Sequence, residues 1–196
     1  MNLDTLYQEI ILDHYRHPHH KGLRDPFDAE VHHVNPTCGD EVTLRVKVAL
    51  GDGDAVIEDV SYDSLGCSIS QASASVMTDL VVGRTLSDAT KAYDEFLALM
   101  QSRGEAEPDE EVLEDAVAFA GVSKYPARIK CALLGWMAWK DATARALSGL
   151  EAATDASPSG TSTSGASPSG TSPSGTSPSG TPTTEPARST IRGDNA

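Results

Sequence analysis

Four copies of the unit Ser-Pro-Ser-Gly, starting at Ser157, Ser167, Ser172 and Ser177, decide how much of this chain can fold. Their period of about five residues is far below the roughly 20 that the shortest solenoid repeat needs. Residues 151–196 contain no Phe, Tyr, Trp, Cys or His, and they hold six of the 11 prolines and six of the 16 glycines. Such a segment cannot bury enough apolar surface to offset its ordering entropy. We read it as a Ser/Pro/Gly/Thr-rich disordered tail, with Arg192-Gly193-Asp194 a chance tripeptide. The fold is left to residues 1–150, enough for one core that buries about two thirds of its unfolded surface.

The formal net charge is −14. The tail adds little to it, with Glu151, Asp155, Glu185 and Asp194 set against Arg188 and Arg192. The domain itself is therefore strongly acidic. That excludes a nucleic-acid binder, which needs a basic face to displace counterions, and docking on an anionic membrane. A partner with a basic surface is favoured instead. The first 20 residues carry Asp4, Glu9, Asp13, Arg16 and four histidines, so no signal peptide is expected and the compartment is read as cytoplasmic. Three cysteines fit a disulfide scaffold poorly and are expected as thiols or metal ligands.

The hydrophobic period changes once along the domain. Leu3, Leu6, Tyr7, Ile10, Ile11 and His14 recur at helical spacing over residues 3–16. Strand signals follow at 29–34, at 42–48, where Val42, Leu44, Val46 and Val48 alternate with Thr43, Arg45 and Lys47, and at 56–62. Gly51 to Asp54 makes a hairpin turn between the last two. After Ser64 the pattern is helical. A helix of small residues is expected over 70–82, with Ala72, Val76, Met77 and Leu80 inward. A second starts at an N-cap Ser87 and runs to about 100, a short one over 111–119 is closed by Gly121, and a long one opens at Pro126 and ends near Leu147. Strands followed by helices predict an α+β domain, a three-stranded antiparallel sheet packed by several helices.

Each cysteine lies where chain direction or element type changes. Cys38 is in Asn35-Pro36-Thr37-Cys38-Gly39-Asp40, a run of turn formers that lets a thiolate and the Asp40 carboxylate converge. Cys67 lies at the start of a helix, where the dipole favours an anionic group. Cys131 lies in the first turns of the long helix, after Arg128 and Lys130. Taken singly, a free cysteine is more often core than ligand. No Cys-x-x-Cys pair is present and the spacing matches no zinc-finger template.

Three stretches resemble the cysteine motifs of the IscU/NifU N-terminal iron–sulfur scaffold family. They are Asn35 to Asp40, Leu65-Gly66-Cys67-Ser68-Ile69-Ser70-Gln71-Ala72-Ser73-Ala74-Ser75, and Lys130-Cys131-Ala132-Leu133-Leu134. The opening Leu6-Tyr7-Gln8-Glu9-Ile10-Ile11 with Asp13-His14-Tyr15 is similar too, and the resemblance spans about residues 2–148. Within the family the chain looks most like the SufU branch. It has room for an insertion between the second and third cysteines, around residues 87–109, Lys130 where IscU proteins have His, and Arg128 three residues before the third cysteine.

The resemblance implies a zinc-dependent sulfurtransferase of the SUF system. It would accept persulfide sulfur from a SufS-type cysteine desulfurase and pass it to downstream iron–sulfur assembly proteins. It also implies a Zn2+ site of Cys38, Asp40, Cys67 and Cys131, with Cys38 the sulfur acceptor and Arg128 assisting catalysis. In that branch a histidine of the desulfurase is thought to replace the first cysteine at the zinc. Two other readings share these ligands: a scaffold on which a transient [2Fe–2S] cluster is assembled, and a structural zinc domain acting as an adaptor. His14, His17, His19, His20, His32 and His33 form no helical i, i+4 pair of the metalloprotease kind and are read as solvated or core histidines. Trp136 and Trp139 are read as core and interface packing rather than a cofactor box.

Overall fold

The computed structural model describes residues 3–51 and 53–155. Helix α1 (Leu3–Arg16) precedes strands β1 (Ala29–Asn35), β2 (Asp40–Leu50) and β3 (Ala55–Leu65). Helices α2 (Ser68–Val81), α3 (Leu86–Gln101) and the single turn α4 (Glu110–Leu113) follow. A 3-10 segment, Glu114–Lys124, then leads into α5 (Pro126–Asp155). The sheet is an antiparallel meander in the order β1-β2-β3, as the alternation predicts.

Strand parity builds the core. Val42, Leu44, Val46 and Val48 are buried, and their neighbours on β2 are half-buried. A register shift between Lys47 and Val48 lets β3 keep Ile57, Val60 and Tyr62 inward. Helix α2 lies deeper than a one-faced helix, since from Ser70 to Val81 only Gln71 and Asp79 escape burial. Its small residues let α5 come close. Gly135 faces Ala74, where a Cβ would stand 3.1 Å from the alanine methyl. Ser73 Oγ donates to the Ala132 carbonyl at 2.7 Å and accepts from Trp136 Nε1 at 3.2 Å. These contacts fix α5, and with it Cys131, against the helix that starts at Cys67. Trp136 and Trp139 are core residues, and Trp136 stacks on Phe96 at 4.7 Å between ring centres.

Three local expectations are corrected. The N-cap of α3 is Thr85, not Ser87. The Thr85 hydroxyl accepts from Asp88 N, while Ser87 N donates to Asp54 in the preceding hairpin. The helix expected over 111–119 is one α-turn and then a 3-10 segment, with the break at Glu114, where φ is +43°. Gly121 does not close this segment. It ends at Tyr125, which is extended because the following proline disfavours the helical region there.

Helix α5 outruns its expected end near Leu147 and crosses the expected domain boundary at 150, continuing to Asp155. The tail expectation for residues 156–196 lies outside the described residues. Truncation after Asp155 is expected to move the melting temperature by no more than a degree or two and to leave metal content unchanged. Calorimetry and metal analysis of the shortened chain check this. No described helix is long and apolar enough to cross a membrane.

Candidate metal centre

The site grows from the polar ends of the apolar stripes. Asn35 and Asp40 are the last and first residues of the β1–β2 hairpin and are paired across it. Both share the inward parity of Val31 and Val42, so both are buried, at 6% and 4% exposure. The turn between them is tied by Cys38 N and Gly39 N, which both donate to the Asn35 carbonyl. Gly39 takes φ +74°, a left-handed value that favours glycine. This turn leaves Cys38 exposed, two residues before the buried Asp40.

Three of the expected ligands converge. The ligand atoms of Cys38, Asp40 and Cys131 lie within 4.8 Å of one another, and the two sulfurs are 3.3 Å apart. Cys67 joins through Asp40. Its N–H donates to Oδ1 at 3.1 Å and its sulfur lies 3.4 Å from Oδ2, while the sulfur stays outside the tighter group. Cys67 is the N-cap of α2 and Cys131 sits in the second turn of α5, so the four residues come from three separate elements. All three cysteines are free thiols, with Cys38 and Cys67 exposed and Cys131 buried.

Burial, reinforced by Cys38 and Asp40 beside it, pushes the Cys131 thiol well above its ordinary range. Burial would also raise the Asp40 carboxyl. Hydrogen bonds from Cys131 and Cys38, and from the N–H and thiol of Cys67, outweigh it and hold the carboxyl below its usual value. The pocket thus carries one committed negative charge and a buried thiol that stays protonated without a counter-charge. A divalent cation would supply that counter-charge, because coordination favours the thiolate outright. Sulfurs sharing a tetrahedral zinc with bonds of about 2.3 Å stand roughly 3.8 Å apart, close to the spacing present here. The donor set therefore fits zinc.

Two residues beyond the expected set shape the pocket. Asn35 Oδ1 accepts from Thr37 N, and its Nδ2 lies 3.8 Å from Cys131 Sγ, so it links the turn to α5. Its signal in the sequence was parity: it continues the inward series of β1 past the expected strand end at 34. Gly66 is required by space. A Cβ there would stand 2.6 Å from Ser70 Oγ and 2.7 Å from Asp40 Cγ. Gly66→Ala is expected to push the carboxylate aside and weaken metal binding about 10–100-fold, the usual effect of disturbing a ligand's support. A competition assay with a chromophoric chelator reads the change.

Arg128 is not drawn into the pocket. Its side chain is exposed and its guanidinium lies 5.4 Å from the ring centre of Tyr125. Lys130 is exposed as well. The histidines divide between core and solvent as expected, His14 buried and the others exposed or half-buried. His32 is half-solvated beside Thr43, and His33 pairs with Asp141. His14 and His19, however, are brought together with Asp79 into a second group of potential ligands, which neither spacing nor periodicity reveals.

Comparison with known proteins gives a consistent set of relatives. The profile of the NifU-like N terminal domain matches residues 6–132. The zinc-dependent sulfurtransferase SufU of Bacillus subtilis is 44% identical over 150 residues, which cover 76% of this chain and 96% of that protein. The iron–sulfur cluster assembly scaffold protein IscU of Streptococcus pyogenes is 43% identical over 143 residues, 73% of this chain and 86% of that protein. The crystal structure of the N-terminal part of a nitrogen-fixing NifU-like protein from Brucella abortus superimposes with a TM-score of 0.65 at 27% identity, covering 74% of this chain and 97% of that one.

Proposed function

We propose a function on one premise: the chain belongs to the NifU-like N-terminal domain family, a family of iron–sulfur cluster assembly scaffolds. Within it, the chain acts as a zinc-dependent sulfurtransferase that takes persulfide sulfur from a SufS-type cysteine desulfurase. Cys38, Asp40, Cys67 and Cys131 hold the ion. When bound, zinc keeps thiolates charged at neutral pH and binds them reversibly.

The observation that carries the reading is the unequal mounting of the thiols. Cys38 sits exposed on a four-residue turn, whereas Cys131 is buried in a helix clamped to α2. One donor can leave while the others keep their places. The freed Cys38 thiolate attacks the outer sulfur of the desulfurase persulfide. A sulfur–sulfur bond forms at Cys38, the bond to the desulfurase cysteine breaks, and that cysteine departs as thiolate. Cys38 then carries the persulfide. Asp40 is pinned by Cys67 N and holds its place while Cys38 moves. Arg128, one turn before Cys131 and exposed, is positioned to meet an anionic group arriving with the partner.

Metal analysis of chain purified without added metal, paired with a desulfurase assay, tests the reading. One zinc per chain, no visible absorption and faster sulfide release are expected. Iron with matching sulfide and charge-transfer bands would replace it with assembly of a [2Fe–2S] cluster on the same thiols. Zinc without stimulation would leave a structural zinc domain.

A further inference from the structure

We propose a second metal site, distinct from the cysteine centre, in which His14, His19 and Asp79 hold a late first-row divalent cation. The three residues come from the last turn of α1, the turn after it, and the last turn of α2. One ligand atom from each lies within 4.8 Å of the others. The His14 and His19 rings are 4.9 Å apart edge to face, and His19 Nδ1 is 2.6 Å from Asp79 Oδ2.

Four observations point to a cation. First, two imidazoles and a carboxylate are the donor set that zinc, nickel and ferrous iron accept. Second, Asp79 stands in the last turn of a helix, where the dipole opposes a negative charge and a cation offsets it. Third, His14 is buried, at 4% exposure, and outer partners orient it. Its Nε2 faces Asp115 Oδ2 at 3.4 Å, and its Nδ1 meets Ser75 Oγ at 2.9 Å. A proton on Nε2 leaves the Nδ1 lone pair for a ligand, the arrangement that a carboxylate behind a metal-bound histidine enforces.

Fourth, the Ser75 hydroxyl, which also accepts from His19 N at 2.8 Å, has an alternative partner ready. Tyr62 is fully buried and its hydroxyl makes no hydrogen bond of good geometry. Burial pushes it up to about 12, with Ser75 and Asp79 both near enough to act on it. For a cation to reach the His14 lone pair, the Ser75 hydroxyl oxygen, now 2.9 Å from Nδ1, must rotate off it, and that rotation brings Ser75 to the unpartnered Tyr62 hydroxyl. Glu9, Asp13 and Asp115 line a pocket of about 220 Å3 beside His14 and add negative potential at its mouth. The ion would tie the end of α1 and the following turn to α2.

The test uses the full chain carrying one equivalent of zinc, which the thiolates take first, freed of excess zinc and titrated with nickel ions by calorimetry and absorption. The parent is expected to take one nickel showing only weak d–d bands, as nitrogen and oxygen ligands give. His19→Ala and Asp79→Asn, both at exposed positions, are expected to weaken that event at least about 100-fold, since even the outer partners of a ligand are worth about 10–100-fold. His32→Ala should bind as the parent does. Failure of the cysteine centre to hold zinc would show separately, as nickel–thiolate charge-transfer bands independent of His19. A parent that binds no nickel without thiolate bands, or His19→Ala and Asp79→Asn chains that both bind like the parent, would overturn the second site.

Discussion

Replacing Cys38 with serine is expected to abolish stimulation of a cysteine desulfurase, down to the rate of the desulfurase alone, while the chain stays folded. The fold should survive because Cys38 is exposed on a turn held by backbone bonds to Asn35 and by Gly39, not by its side chain. The chemistry should not, because a serine hydroxyl at neutral pH neither binds zinc well nor attacks a persulfide. Cys67→Ser and Cys131→Ser are expected to fail differently, losing metal first and activity as a consequence. The discriminating readout is metal content beside activity. Cys38→Ser that retains half or more of the stimulation would remove the acceptor from this residue.

Stripping the metal is expected to lower the melting temperature by roughly 8–16 °C. A ligand held about 1,000-fold below its free concentration stabilises by about 4 kcal/mol, and in a chain of this size each kcal/mol shifts the transition by about 2–4 °C. The ion-free chain should nevertheless keep its secondary structure. Leu44, Ile57, Phe96 and Trp136 are fully buried in a hydrophobic cluster that includes none of the four site residues. Calorimetry before and after chelation, with zinc verified gone, measures the shift. An unchanged curve would mean that the four residues do not share an ion in the native state.

How much of this was legible in the sequence depends on the range of the signal. The β2 alternation and the change of period after Ser64 are local, and the sheet and α2 follow them closely. The three cysteines and Asp40 stood at motif positions; three of the four gather closely and the fourth, Cys67, touches Asp40. What escaped was decided by contacts between distant segments. Thr85 rather than Ser87 caps α3 because the β2–β3 turn, through Asp54, occupies Ser87 N. Gly66 matters because Asp40, distant in sequence, fills the space a side chain would need. His14 and His19 become neighbours only because both pack on Ser75 of α2. Arg128 matched its motif position, yet nothing local fixes a long side chain on a helix surface, and here it rests over Tyr125.

The most direct test of the sulfur-transfer account locates the sulfur itself. The chain is incubated with desulfurase and cysteine, quenched with an alkylating reagent, and its peptides are mapped by mass spectrometry. The account predicts one extra sulfur on Cys38, with Cys67 and Cys131 alkylated directly. Extra sulfur mainly on Cys131, with Cys38 unmodified, would contradict it.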